Sequence, residues 1–232
     1  MNVLSEGRNV GSANLFSGLD VRETALQAVA STIVLLSGGI DSAVLLRGLL
    51  QETAPVPLFV QYGQRAGARE ASAARSQCDA LGLTLVTLDV TSVGDVFVGA
   101  SRARPHVPLP HRNLVLLSLA LSYASVVGAE AVALSIIRDD SDWYPTASRQ
   151  FIDDMRRLAG NLRAAAIQTP LIAHDKQGVI ADGIRLGLDF RTTYSCMVGD
   201  EAHCGRCHQC LARRAALLSA SVEEPPDFYR HP

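Results

Sequence analysis

Near the start of the chain, an apolar run, a glycine turn and a helical pattern follow one another without a gap. Ser31 to Leu36 reads as a buried parallel strand. Ser37 to Ser42 is a tight loop, and Asp41 to Leu50 carries Val44, Leu45 and Leu49 at helical spacing. A strand entering a helix through so short a loop must lie in a layered sheet, with the helix packed back across one face.

The unit recurs. Pro57 to Tyr62 and Leu83 to Val90 read as strands around an alanine-rich helix, Gly67 to Leu81. A loop of about twenty residues follows, holding Pro105, Pro108 and Pro110, and loops of that length inside a domain tend to be functional. Helices are expected over Arg112 to Val127, Thr146 to Ala165, Asp175 to Leu186 and Leu211 to Ala220, with a strand over Ala131 to Ile137. Alternation of this kind predicts an α/β fold with a parallel, Rossmann-like sheet and right-handed crossovers. Three segments are expected: an extension over 1–30 with a docking helix at Val21 to Ala30, an α/β domain over 31–190, and a cysteine-bearing segment over 191–232.

Apolar residues make up 48% of the chain, enough for a large core, and the net charge of -2 argues against a nucleic-acid-coating protein. No run of 18 apolar residues and no basic-then-apolar leader are present, so a cytoplasmic protein without a membrane partner is expected.

The loop Ser37-Gly38-Gly39-Ile40-Asp41-Ser42 has the chemistry of an anion cradle. Two glycines let backbone N–H groups approach a phosphate, and the helix start adds its partial positive charge. It has neither the G-K-[ST] ending of a Walker loop nor the G-x-G-x-x-G pattern of a dinucleotide fold. Asp41 makes sense there if it holds Mg²⁺ against the phosphates; the rival role is an ordinary helix cap. Of the 21 basic residues only Lys176 is a lysine, and a compact ammonium on a phosphate would account for its retention.

Four of the five cysteines, Cys196, Cys204, Cys207 and Cys210, fall in C-x7-C-G-R-C-x2-C. In a reducing compartment that density reads as tetrahedral thiolate zinc with a structural role, with an iron–sulfur cluster as the alternative. His203 and His208 sit inside the cluster and are expected to be exposed bystanders. Arg206, Arg213 and Arg214 beside it would suit a zinc-knuckle binding module, a reading the phosphate loop does not support. Cys78 is expected in the core.

SGGIDS resembles the SGGxDS pyrophosphate loop of the N-type ATP pyrophosphatases. Together with the cysteine knot it resembles 7-cyano-7-deazaguanine synthases over Ser31 to Leu217. Tyr62-Gly63-Gln64-Arg65, followed by Glu70, is similar to that family's YGQR segment. Pro110-His111-Arg112-Asn113 is similar to its P-G-R-N, with His for Gly. Asp175-Lys176 and Thr193-Tyr194-Ser195-Cys196 find counterparts as well. Trp143 to Phe151 stands where the family reads G-Y-P-D-C-R-x-E-F, with Thr146, Ala147, Ser148 and Gln150 replacing polar or reactive groups.

The resemblance implies ATP-driven conversion of 7-carboxy-7-deazaguanine and ammonia to a nitrile, with ATP, Mg²⁺ and Zn²⁺ bound, in a homodimer. Catalytic roles would fall to Asp41, Arg65, Arg112 and Lys176. Nucleotide contacts would come from Ser37, Gly38, Gly39, Ile40, Asp41, Ser42, Gln64 and Asn113. Trp143, Tyr144 and Pro145 would meet the acid, and Thr146 and Gln150 are expected to alter which ring edge is tolerated. A paralogue acting on another carboxylate and a tRNA sulfurtransferase-like enzyme stay open as alternatives.

Overall fold

The computed structural model describes residues 31–100 and 109–231. The N-terminal extension, its expected helix at Val21 to Ala30, and Pro105 and Pro108 lie outside the described residues. Five parallel strands form one sheet: β1 (Ser31–Leu35), β2 (Ala54–Gln61), β3 (Val86–Asp89), β4 (Ala131–Ala133) and β5 (Ala166–Gln168), in the order β3-β2-β1-β4-β5. The helices are α1 (Ile40–Leu49), α2 (Gly67–Asp79), α3 (Thr91–Ala100), α4 (Arg112–Val127), α5 (Arg149–Asn161), α6 (Lys176–Arg185) and α7 (His208–Ser219).

Alternation along β1 divides the core. Ile33 and Leu35 face a cluster with Leu117 and Ala120 of α4 and Ile152 and Met155 of α5. Val34 and Leu36 face the other, with Leu46 of α1, Ile180 of α6 and Leu217 of α7. Helices therefore cover both faces, as an all-parallel sheet requires. From β1 the chain winds first to β2 on one side and later to β4 on the other. That reversal opens a crevice at the carboxyl ends of β1, β2 and β4, where ligands of such sheets bind.

Several elements differ from the expected ones. β2 starts at Ala54, ahead of two prolines; Pro55 and Pro57 precede Leu58, where β3 begins to pair, so no ladder on that edge is interrupted. The first part of the long loop is helical as α3. The helix expected from Thr146 starts at Arg149, because the Ser148 hydroxyl accepts the Phe151 N–H at 3.2 Å and caps it. It ends before Ala165, and β5 follows in a run whose alanines read as more helix. α7 begins at His208 rather than Leu211.

Candidate active site: a cleft between the phosphate loop and the cysteine knot

The first strand delivers the loop to the crevice. Gly38 has φ +79°, and a side chain there would meet the Glu70 carbonyl oxygen at 2.4 Å, so only glycine fits. Its own carbonyl accepts the Tyr194 N–H at 2.9 Å, tying the loop to the segment that approaches the knot. Ser37 and Ser42 brace the turn: their hydroxyls lie 3.1 Å apart, and Ser42 Oγ accepts the Ser37 N–H and donates to the Gly39 carbonyl. Gly39 is the N-cap of α1, and no side chain caps the helix. Its first N–H groups are left for an anion.

Asp41 is not the cap. Its carboxylate receives the Lys176 ammonium at 2.6 Å, across 135 residues of chain. Lys176 is the first residue of α6, whose cap is Asp175, an acceptor for Gly178 N–H at 2.8 Å. The Lys176 N–H donates to Asp139. Both Asp139 and Asp140 line the cavity, and burial, followed by the nearby Asp41, raises the Asp140 carboxyl above its usual range.

One cavity of about 360 Å³ occupies the crevice. Ser37, Gly39, Ile40, Asp41 and Lys176 line one part of it. A second wall holds Tyr62, Gln64, Glu70, Arg112 and Asn113. The third comes from Trp143, Tyr144 and Ala147 and from the knot, with Tyr194, Cys196, Met197, His208 and Gln209.

On the second wall, Arg112 extends a guanidinium N–H to the Tyr62 hydroxyl at 3.5 Å. Burial pushes the Glu70 carboxyl upward. Gln64 is fully engaged: its Oε1 accepts the Tyr62 N–H, and its Nε2 donates to the Val60 carbonyl and to Glu70. Asn113 donates to the Thr146 carbonyl at 3.0 Å, holding the 143–148 segment against α4. Both amides thus position neighbours. His111, the N-cap of α4, adopts φ +52°, a left-handed conformation that suits the glycine of the resembling motif better than histidine.

Other expected residues fall outside the cavity lining: Arg65 and Pro145 are exposed, and Gly38 and Ser42 are buried within the turn. Thr146 and Gln150 also lie off the lining. Gln150 is exposed and donates to Asp154 within α5, so the expectation that these two set ring tolerance is corrected; Ala147 is the position of that segment on the wall.

The four knot cysteines bring their sulfurs within 4.8 Å of one another. Backbone N–H groups point at them: Val198 and Cys204 donate to Cys196, and Arg206 and Cys207 to Cys204. Burial opposes the Cys204 thiolate, but those last two donors together with the Cys196 and Cys207 thiols bring it down to about 7. A closed, all-sulfur, N–H-braced set fits a tetrahedral metal. Gly205, at φ +76°, passes so close to the His231 carbonyl that no side chain could stand there.

His203 is not the expected bystander. It is 4% exposed, its Nε2 accepts the Ser195 N–H at 3.1 Å, and it stacks on Phe228. Burial and then Arg213 lower it to about 3. Arg213 is likewise no part of a basic surface. It is 1% exposed, pairs with Glu224 at 2.8 Å, and donates to Thr193 and the Phe190 carbonyl, clamping α7 to the segment that approaches the knot. Sequence reasoning also missed Met197 and Gln209 as cavity residues; alternation with the cysteines was the available signal.

The solved structure of NMN synthetase from Francisella tularensis shares this fold, with a TM-score of 0.52 at 14% identity over 86% of this chain and 81% of that one. The NH3-dependent NAD synthetase from Campylobacter jejuni does so with a TM-score of 0.50 at 19% identity, covering 87% and 82%. The class is a parallel-sheet fold with a pyrophosphate-type loop at its switch point. Within it, the sequence profile described as queuosine biosynthesis protein QueC matches residues 31–221, and the chain belongs to that family. Its relatives include the 7-cyano-7-deazaguanine synthase of Nitrosomonas europaea, 35% identical over 83% of this chain and 94% of that protein. That of Marinobacter nauticus is 33% identical, over 86% and 98%.

Proposed function

We propose that this chain is an ATP-dependent carbon–nitrogen ligase that converts 7-carboxy-7-deazaguanine and ammonia to 7-cyano-7-deazaguanine. The observation that carries the reading is a single cavity lined at one side by the SGGIDS loop with its Asp41–Lys176 pair and at the other by Trp143, Tyr144 and the knot. Family membership supports the same reaction.

In this reading the α1 N–H groups and the Ser37 hydroxyl take the β- and γ-phosphates, and Lys176 turns from Asp41 to the leaving pyrophosphate. Mg²⁺ would supply charge neutralisation on the phosphates, held by Asp41 with Asp140 beside it; burial and then the Asp41 charge raise Asp140, and a cation favours the ionised form of both. Arg112 is the guanidinium on the wall and orients the carboxylate of the acid. A carboxylate oxygen attacks the α-phosphorus and expels pyrophosphate, and ammonia then displaces AMP to give the amide. The amide oxygen attacks the α-phosphorus of a second ATP and expels pyrophosphate, and loss of both nitrogen protons and of AMP, which carries off the amide oxygen, leaves the nitrile. Positioning and charge stabilisation do the work, with no nucleophilic triad.

Zn²⁺ suits Cys196, Cys204, Cys207 and Cys210 in a structural role. A homodimer is the assembly this reading carries. Among the described residues no helix is long and apolar enough to cross a membrane.

A second reading, a paralogue using a related acid, is favoured by the small apolar Ala147 on the cavity wall. The test is mass spectrometry of products from ATP and ammonia with 7-carboxy-7-deazaguanine or its amide. Nitrile from both supports the main reading; no AMP with either overturns it.

A further inference from the structure

Trp143 and His208 stand beside each other on one wall of the cavity. Trp143 follows the turn after β4, and His208 opens α7 between the knot cysteines Cys207 and Cys210. Both line the cavity, both are exposed, and Trp143 is 75% so. Their ring centroids are 6.3 Å apart and their planes differ by 29°. A face-to-face pair has its centroids about 3.5–4 Å apart and an offset pair up to about 7 Å, so these two rings leave most of each other's faces uncovered.

We propose that Trp143 and His208 form a clamp that holds the flat ring of the acid acceptor between them, making His208 a specificity-determining residue. The inference deepens the proposed ligase reading and rests on it. The clamp takes the acceptor and not the adenine, because it stands on the wall made by the knot and the 143–147 segment, whereas the phosphate-holding groups stand on the wall of β1, α1 and α6. Both rings are exposed, so side-chain rotation can open the pair to a flat ring, and a planar bicyclic acid gains two stacked faces that an aliphatic acid does not. The knot gives the clamp its fixed jaw: thiolates one residue before and two residues after His208 hold the start of α7 in place. Gln209, the next residue, offers an amide on the same wall for the polar edge of the ring.

Trp143 is the only tryptophan in the chain, so its emission reports this site alone. The experiment titrates the intact protein with 7-carboxy-7-deazaguanine and, separately, with AMP, corrected for ligand absorbance. The acid should quench the emission saturably, and AMP should not. His208→Ala should weaken acid binding by about fivefold or more, the effect of losing one stacked face, while His208→Phe stays within about twofold of the parent. In steady state His208→Ala should raise KM for the acid and leave KM for ATP unchanged. Quenching by AMP alone, an unchanged affinity in His208→Ala, or a change in KM for ATP alone would overturn the clamp. Those results would leave acid-dependent AMP release intact; its absence would instead count against the ligase reading.

Discussion

At the phosphate-loop side of the cavity, one unbroken stretch of fewer than a dozen residues makes the strand end, the turn and the helix start, and a single distant residue, Lys176, completes it. The knot side is assembled the other way. Trp143 to Ala147, Tyr194 to Met197 and His208 to Gln209 arrive from three separate parts of the chain and are locked by Arg213, Glu224, buried His203 and four thiolates. Local backbone geometry suffices to bind a phosphate, whereas recognising an acid takes side chains that only tertiary structure can gather. The first side should tolerate damage to the knot, and the second should collapse with it.

Removing the metal is the strongest way to break this contrast. Chelation, or Cys207→Ser, should abolish binding of the acid and lower the melting temperature sharply, since the metal's affinity is folding free energy for the segment it closes. Metal analysis of the native protein should return one zinc per chain. Arg213→Met acts on the same region without touching a thiolate. It strands Glu224, which is 7% exposed, and breaking a buried pair of this kind costs about 3–5 kcal/mol, readable by denaturant titration.

On the opposite side, Lys176→Ala and Asp41→Asn should each cut turnover by at least about tenfold, the scale of a lost charge-assisted contact, with little change in melting temperature. A large fall in stability for either would show that the two sides are not separable as described.

The smallest effect belongs to Glu70, between the two. Burial raises its carboxyl in the folded chain. A carboxyl raised in this way contributes stability below its ordinary pKa and loses it as pH rises through the folded value. The parent protein should therefore lose stability relative to Glu70→Gln as pH rises above the ordinary carboxylate value, as thermal melts over a pH series would record.

The same contrast decides how much could be read from the sequence. Strand, loop and helix over Ser31 to Leu49 were legible because their signals are local: an apolar run, paired glycines, helical spacing. The cluster of four cysteines was legible from their spacing alone. The three-residue β5 was not, because the alanines leading into it, Ala164 to Ala166, favour helix and only pairing with β4 makes Ala166 to Gln168 a strand. Arg213 and His203 look like surface residues by type; their burial depends on Glu224, Thr193 and Ser195, partners that no local pattern announces. Gln64 and Asn113 lie next to cavity residues in sequence and line the cavity, yet their amides are occupied by Glu70 and the Thr146 carbonyl. Lys176 stood out as the lone lysine, but its partner Asp41 became visible only when α6 packed beside α1.

The central claim is that the acid, held at the knot side, attacks the α-phosphorus of ATP held at the loop side. Oxygen-18 tracing reads this directly. With both carboxylate oxygens of 7-carboxy-7-deazaguanine labelled, and unlabelled ATP, ammonia and water, the account predicts one labelled oxygen in each AMP released and none in pyrophosphate. Label appearing in inorganic phosphate, with ADP as the nucleotide product, would mean attack at the γ-phosphorus and would contradict it.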